Sequence, residues 1–135
     1  MIPYFRAKKL GTKDEYVVGF LQQDACGFYV ITYYILPVGY GSTKIDRSTL
    51  AIHFPNMLDI QGNKIFASLS KVGKGGDVVQ NYDYGENKYV LVYNASTFEF
   101  GIQLIREENT DKNCWEYECL KDECLELFEV IGIQQ

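Results

Sequence analysis

The chain has 135 residues, enough for one ordinary core or for two small subdomains sharing a seam. Hydrophobic residues make up 47% and charged residues 23%, a balance that excludes disorder across the whole chain. The formal charge is −5, and residues 107–129 alone hold nine acidic against two basic side chains, which excludes a global basic field for nucleic acid.

The aromatic content, 11 Tyr and 8 Phe against 2 Met, favours pleated, half-buried surfaces and so predicts a mainly β protein. Tyr4 to Ala7 reads as an opening strand, and Gly11 to Asp14 as a turn. Tyr16 to Leu21 is a second strand in which Gly19 marks a bulge or a close backbone approach. Gln22 to Cys26 connects it to a strong strand from Phe28 to Leu36, making an N-terminal β-hairpin region. Pro37 to Asp46 carries little apolar character and reads as a loop. Thr49 to Phe54 alternates, with Leu50, Ile52 and Phe54 on one face and Thr49, Ala51 and His53 on the less buried one. A lone histidine there reads as structural. Asp59 to Lys64 is a tight turn, with Gly62 or Asn63 suited to positive φ.

Residues 67–76 form a glycine-rich loop containing Lys71, Lys74 and Gly76. It lacks the spacing and hydroxyl of a phosphate-binding loop, and Val78-Val79 follows in place of a helix. From Asp77 the pattern is a compact β unit: a strand at Val78-Val79, a turn over Asn81 to Asn87, and a strand from Tyr89 to Tyr93. A hairpin connection follows over Asn94 to Ser96. Thr97 to Ile105 then alternates, with Phe98, Phe100, Ile102 and Leu104 inward and Glu99 and Gln103 outward. Short twisted strands of this kind curl into a small SH3-like barrel. Tyr117, Leu120, Cys124 and Phe128 follow a 3,4,4 spacing, which predicts one short acidic C-terminal helix. A switch near Leu127 gives a closing strand that ends at Gly132. The expected organisation is an N-terminal β subdomain (1–66), the loop (67–76) and a barrel subdomain with the helix (77–135).

Cys114, Cys119 and Cys124 recur every five residues, which on a helix turns them about 140° apart. With Cys26 they read as buried or half-buried free thiols, and neither a metal site nor a cofactor is expected. No apolar run approaches the roughly 18 residues of a membrane span, and the start lacks the form of a signal peptide, so a cytoplasmic protein is expected.

Four segments together resemble one family. They are Ile2-Pro3-Tyr4-Phe5-Arg6-Ala7, Leu58-Asp59-Ile60-Gln61-Gly62-Asn63-Lys64-Ile65-Phe66, Gly76-Asp77-Val78-Val79 and Glu129-Val130-Ile131-Gly132. In this order they resemble the YopX family of small phage and prophage proteins, with an enlarged loop where that family passes directly from its Ile-Tyr/Phe pair to Glu-Gly-Asp. The resemblance implies a β-rich fold with an SH3-like barrel in its C-terminal part, and self-association; it implies no activity. Asp77 stands closest to a family hallmark, and its carboxylate is expected to cap a turn or to accept backbone N–H bonds beside the glycines.

The function expected is a non-catalytic module for protein interaction or self-assembly. Its candidate surface is Tyr82, Tyr84, Tyr89 and Tyr93, because tyrosine offers amphipathic contact area; the opposing reading is that these rings cover the barrel ends. The partner would be a second copy or a phage or host protein. The alternative is a single-stranded nucleic-acid-binding protein in which aromatics stack bases and Lys71, Lys74 and Lys88 meet phosphates. Basic residues in the N-terminal part, Lys8, Lys9, Lys13, Lys44 and Arg47, could gather into a local patch, but an ordinary solvated surface is the preferred reading. No Ser-His-Asp or paired-carboxylate constellation stands out, and His53 has no visible partner.

Overall fold

The computed structural model describes residues 4–27, 29–35, 39–81, 88–105, 117–119 and 128–135. They are mainly β: β1 (Tyr4–Lys9), β2 (Tyr16–Gln23), β3 (Tyr29–Ile35), β4 (Gly39–His53), β5 (Ala67–Ser68), β6 (Asp77–Asn81), β7 (Lys88–Asn94), β8 (Glu99–Ile105), β9 (Tyr117–Cys119) and β10 (Phe128–Ile133). None of the described residues is helical. No helix among them is long and apolar enough to cross a membrane.

The first four strands pair in a closed circuit. β1 pairs with the first half of β2, the second half of β2 with β3, β3 with the start of β4, and the end of β4 returns to β1, all antiparallel. Gly19 sits where β2 changes partner. A Cβ there would lie 2.2 Å from the Thr32 carbonyl oxygen, so the close approach of the two backbones requires glycine. Ala7, Val17, Ile31, Ile45 and Leu50 fill one core cluster. A second cluster joins Ile52, Met57, Ile65, Val79, Leu91, Ile102 and Phe128, and Phe5 and Leu69 pack against both. Each fully buried aliphatic side chain contributes about 1.5–3 kcal/mol, and the two shared residues make the clusters one continuous interior.

The remaining strands run β10–β6–β7–β8–β9, every pair antiparallel, and β5 joins them to β4 through a parallel bridge from Ser68 to Val92. β10 is the last strand on its side. Its outward backbone groups meet the 59–63 turn: the Ile60 N–H donates to the Phe128 carbonyl, and the Val130 N–H to Asp59 Oδ2. That turn therefore covers a sheet edge.

Several expectations give way to tertiary context. Tyr117–Cys119 is strand, paired with Gln103, Ile102 and Gly101, where the 3,4,4 spacing predicts helix. A spacing read from four residues does not outweigh an open strand edge on β8; Leu120 and Cys124 lie outside the described residues. The expected loop over Pro37 to Asp46 is strand from Gly39 onward, because pairing with β3 imposes extension on residues with no apolar rhythm. His53 is not on a solvent face: Thr49, Ala51 and His53 are all buried, so both faces of the end of β4 are covered. Gln103 is buried and Phe98 is 79% exposed, the reverse of the alternation predicted for both. Cys26 is exposed on a turn, whereas Cys114 and Cys124 lie outside the described residues.

Both ends of residues 67–76 are built into the interior, with Lys71 exposed between them. Ala67 and Ser68 form β5, and Gly73, Gly75 and Gly76 are buried. Gly75 has φ 82°, and a Cβ on it would stand 2.0 Å from the Thr49 carbonyl oxygen. Gly75→Ala is expected to cost more than about 3 kcal/mol, since left-handed strain and a backbone clash coincide. Gly11→Ala, at φ 79° with nothing within 4 Å, should cost only about 1 kcal/mol. Urea denaturation midpoints of the two variants check this contrast.

Candidate functional site: a buried ion pair and an open trough

Two polar assemblies stand out, one inside the molecule and one on its surface. The first is centred on Arg6 and Asp77, which are 71 positions apart in the chain. Arg6 Nη2 lies 2.8 Å from Asp77 Oδ1 and also donates to the Gly75 carbonyl at 2.8 Å. Asp77 Oδ2 accepts the Phe66 N–H at 2.8 Å. The guanidinium carbon sits 4.6 Å from the centre of the Phe66 ring, and Tyr16 lies on it from further off. Arg6 and Asp77 are both buried. Burial pushes the Asp77 carboxyl above the ordinary carboxylate range, against the pull of the Arg6 charge and of the Phe66 N–H.

His53 and Asp59 adjoin this pair. The His53 ring packs 5.3 Å from that of Phe66, and its Nδ1 is 2.9 Å from the Ile65 carbonyl. A carbonyl only accepts, so Nδ1 carries the proton. Burial pushes the imidazole below the ordinary histidine range, outweighing that carbonyl. Asp59 is buried too, which raises its carboxyl, but donors from Val130, Asn63 and Gln61 outweigh burial and hold it below the usual range. Its Oδ1 takes the Gln61 and Asn63 N–H groups and its Oδ2 that of Val130. At the turn below it, Gly62 adopts φ 82°.

The four segments that carry the family resemblance thus meet in space: Arg6, the 59–66 stretch, Asp77 and Val130. The three acid–base side chains among these contacts, His53, Asp59 and Asp77, are engaged by backbone groups or by Arg6. What the arrangement does chemically is tie the first strand, the central turn and the last strand together.

The second assembly is a surface trough made of two adjoining cavities of about 420 and 440 Å³. They share Leu69 and Ser70 in their walls; Lys71, Asn94, Ser96 and Gln103 line one, and Arg47 and Ser48 the other. Arg47 reaches this place through a bulge. Lys8 pairs with Asp46 and Arg6 with Ala51, so five steps along β4 oppose two along β1. The ladder bond lost there is replaced by Thr49, whose Oγ1 accepts the Lys8 N–H at 2.9 Å and donates to the Asp46 carbonyl at 2.7 Å. The Arg47 guanidinium is stacked 4.4 Å over the Tyr29 ring. Lys74 Nζ reaches Ser48 Oγ at 3.1 Å.

Of the candidate surface, Tyr89 and Tyr93 are half-buried and their rings pack inward, Tyr89 edge-on to Phe128 and Tyr93 against Phe54 and Phe100. Tyr82 and Tyr84 lie outside the described residues. Lys71 lines the trough and Lys74 touches its wall only through Ser48, while Lys88 opens β7 roughly 20 Å of strand away from Asn94. Gly76 donates to the Gly73 carbonyl and accepts from Gln134. The sequence marks neither Arg6 nor Gln103 as a site residue. For Arg6 the signal is a charge between Phe5 and Ala7 in an opening strand, which requires a buried partner; Gln103, within an alternating run, carries no such mark. Among the described residues no group of three or more His, Cys, Asp or Glu is placed to hold a metal ion. No family model, curated protein or solved structure matches the chain.

Two predictions follow from the ion pair and its neighbours. Arg6→Met and Asp77→Asn should each cost about 3–5 kcal/mol, since each leaves a buried group unpaired, and a double-mutant cycle should show coupling above about 1 kcal/mol. Chemical denaturation of the three variants measures it. For His53 the folded value is depressed, so the unfolded chain binds the proton first; stability is complete above about pH 6.5 and falls below it, by at most about 1.4 kcal/mol per pH unit. Asp59, also depressed, loses its contribution only below about pH 3.8. Asp77 has the opposite sign, stability falling as pH rises from about 3.8 to its raised folded value. Denaturation midpoints across pH 5–7.5 should therefore show a loss in the wild type that His53→Gln lacks.

Proposed function

We propose that the chain is a non-catalytic interaction module, binding a protein partner or a second copy of itself. Phe98 carries this reading. Its ring is 79% exposed, at the tip of the β7–β8 hairpin, and it is the non-glycine residue with positive φ, 57°, among those described. A bulky residue held in the left-handed region costs about 1–3 kcal/mol, and an aromatic ring held out in water adds no burial to offset it. Such a ring is the kind of anchor that fills a partner's pocket. The inward engagement of His53, Asp59 and Asp77 supports a role without catalysis.

The setting in a phage or prophage rests on the resemblance of the four segments. An SH3-like barrel formed by β6 to β10 belongs to the same proposal. It is supported by their unbroken antiparallel order and by the Phe128 ring packed against Tyr89.

The test is native mass spectrometry of the protein purified from bacteria that contain phage components, beside Phe98→Asn. Asparagine tolerates the left-handed conformation, so the variant should gain about 1 kcal/mol of stability and release the bound partner or copy. A partner retained unchanged by the variant would place the interface elsewhere.

A further inference from the structure

We infer that the trough is a binding site for single-stranded nucleic acid, with Arg47, Lys71 and Lys74 meeting phosphates and Gln103 meeting a base. This goes beyond the module reading and does not depend on the Phe98 tip.

The starting point is an unpaired buried atom. Gln103 lines the larger-walled of the two cavities and is only 7% exposed, and its buried Oε1 is, with Arg6 Nε, one of two side-chain atoms that lack a hydrogen-bond partner among the described residues. The amide cannot be turned over to remedy this. Its Nε2 donates to the Lys71 carbonyl at 2.9 Å, and a flip would set two acceptors against each other. A buried acceptor left unpaired costs about 1–3 kcal/mol, which a ligand bringing an N–H group would recover. Every nucleobase carries such a donor on its pairing edge, as an amino or imino N–H, so this contact accepts any base.

Charge points to the same ligand. Neither cavity wall contains Asp or Glu, and cations stand along both: Arg47 in one, Lys71 in the other, and Lys74 held at Ser48. Arg47 and Lys71 form no ion pair among the described residues. The nearest acid along β4, Asp46, accepts from Ser48, faces Lys8 at 3.9 Å and shares the Ser48 hydroxyl with Lys74, whose charge it feels. Together the two cavities set these cations beside a largely apolar wall on a net acidic molecule. Apolar Leu69, Val92 and Ala95 complete the Gln103 side, as a base requires. Both cavities open to the surface, and they share Leu69 and Ser70.

The test uses the full chain and a fluorescein-labelled eight-nucleotide single-stranded DNA, read by anisotropy. Three cations meeting phosphates give a slope of about −2 in log affinity against log salt, so affinity should fall about 20-fold between 50 and 200 mM. Lys71→Ala, at an exposed position, should flatten the slope by about 0.7. Gln103→Leu should weaken binding about tenfold with the slope unchanged. The proposal is overturned by no binding at 50 mM salt, by binding that neither Arg47→Ala nor Lys71→Ala weakens, or by equal affinity for a duplex or a polyglutamate peptide.

Discussion

Everything in this molecule is arranged around the cost of burying Arg6 and Asp77. Removing two charges from water costs several kcal/mol per ion even after relaxation, and their attraction offsets that only with good geometry and further hydrogen bonds. Here the further bonds come from distant backbone: the Gly75 carbonyl for Arg6 and the Phe66 N–H for Asp77. The raised carboxyl of Asp77 indicates that burial is still not fully offset. Arg6 Nε is buried without a partner among the described residues, so the pair adds alignment more than stability. A slip of β1 by one residue would turn Arg6 to the other face and leave both charges unpaired in an apolar interior.

The same logic extends to the last strand. β10 comes from the far end of the chain, yet it is joined to the molecule along both edges. One edge pairs with β6; the other receives the Ile60 N–H and gives the Val130 N–H to Asp59. Beyond it, Gln134 exchanges hydrogen bonds with Gly75 and Gly76, so the chain's final residues close on the glycines that flank the ion pair. Arg6, Asp59, Gly75 and Val130 are thus parts of one connection, and each is effective only when the others are in place.

This explains which features were legible in the sequence. Strands whose rhythm or β-branched content matched their burial, such as β2, β3, β7 and the end of β10, can be read directly. So can Gly19, because a glycine inside a strand has few other uses. The start of β4 cannot, since residues 39–44 are strand only because β3 needs a partner. The alternation in β8 fails for a related reason: residues 69–76 fold over its outer face, so Gln103 is covered on the side where solvent was expected. The acidic helix rests on spacing alone, and an unfilled edge on β8 takes Tyr117–Cys119 as strand. The trough draws residues from β4, the 69–71 stretch, β7 and β8, and no local pattern connects them.

The position of the trough follows from the interior. Residues 69–76 must reach from β5 back to Asp77, and Gly75 can pass Thr49 only because it has no side chain. Ser68 fixes the path, accepting the Ser70 N–H and donating to the Lys74 carbonyl at 2.7 Å. Lys71 and Lys74 are therefore carried on backbone held by buried contacts, and Arg47 by a bulge and a stacked ring. Cations fixed in this way lose little freedom when an anion arrives, so a modest number of contacts suffices for measurable affinity. The burial that removes Asp77 from the surface also keeps its charge away from these cations. A net acidic chain can in this way gather cations at the place where its two core clusters meet.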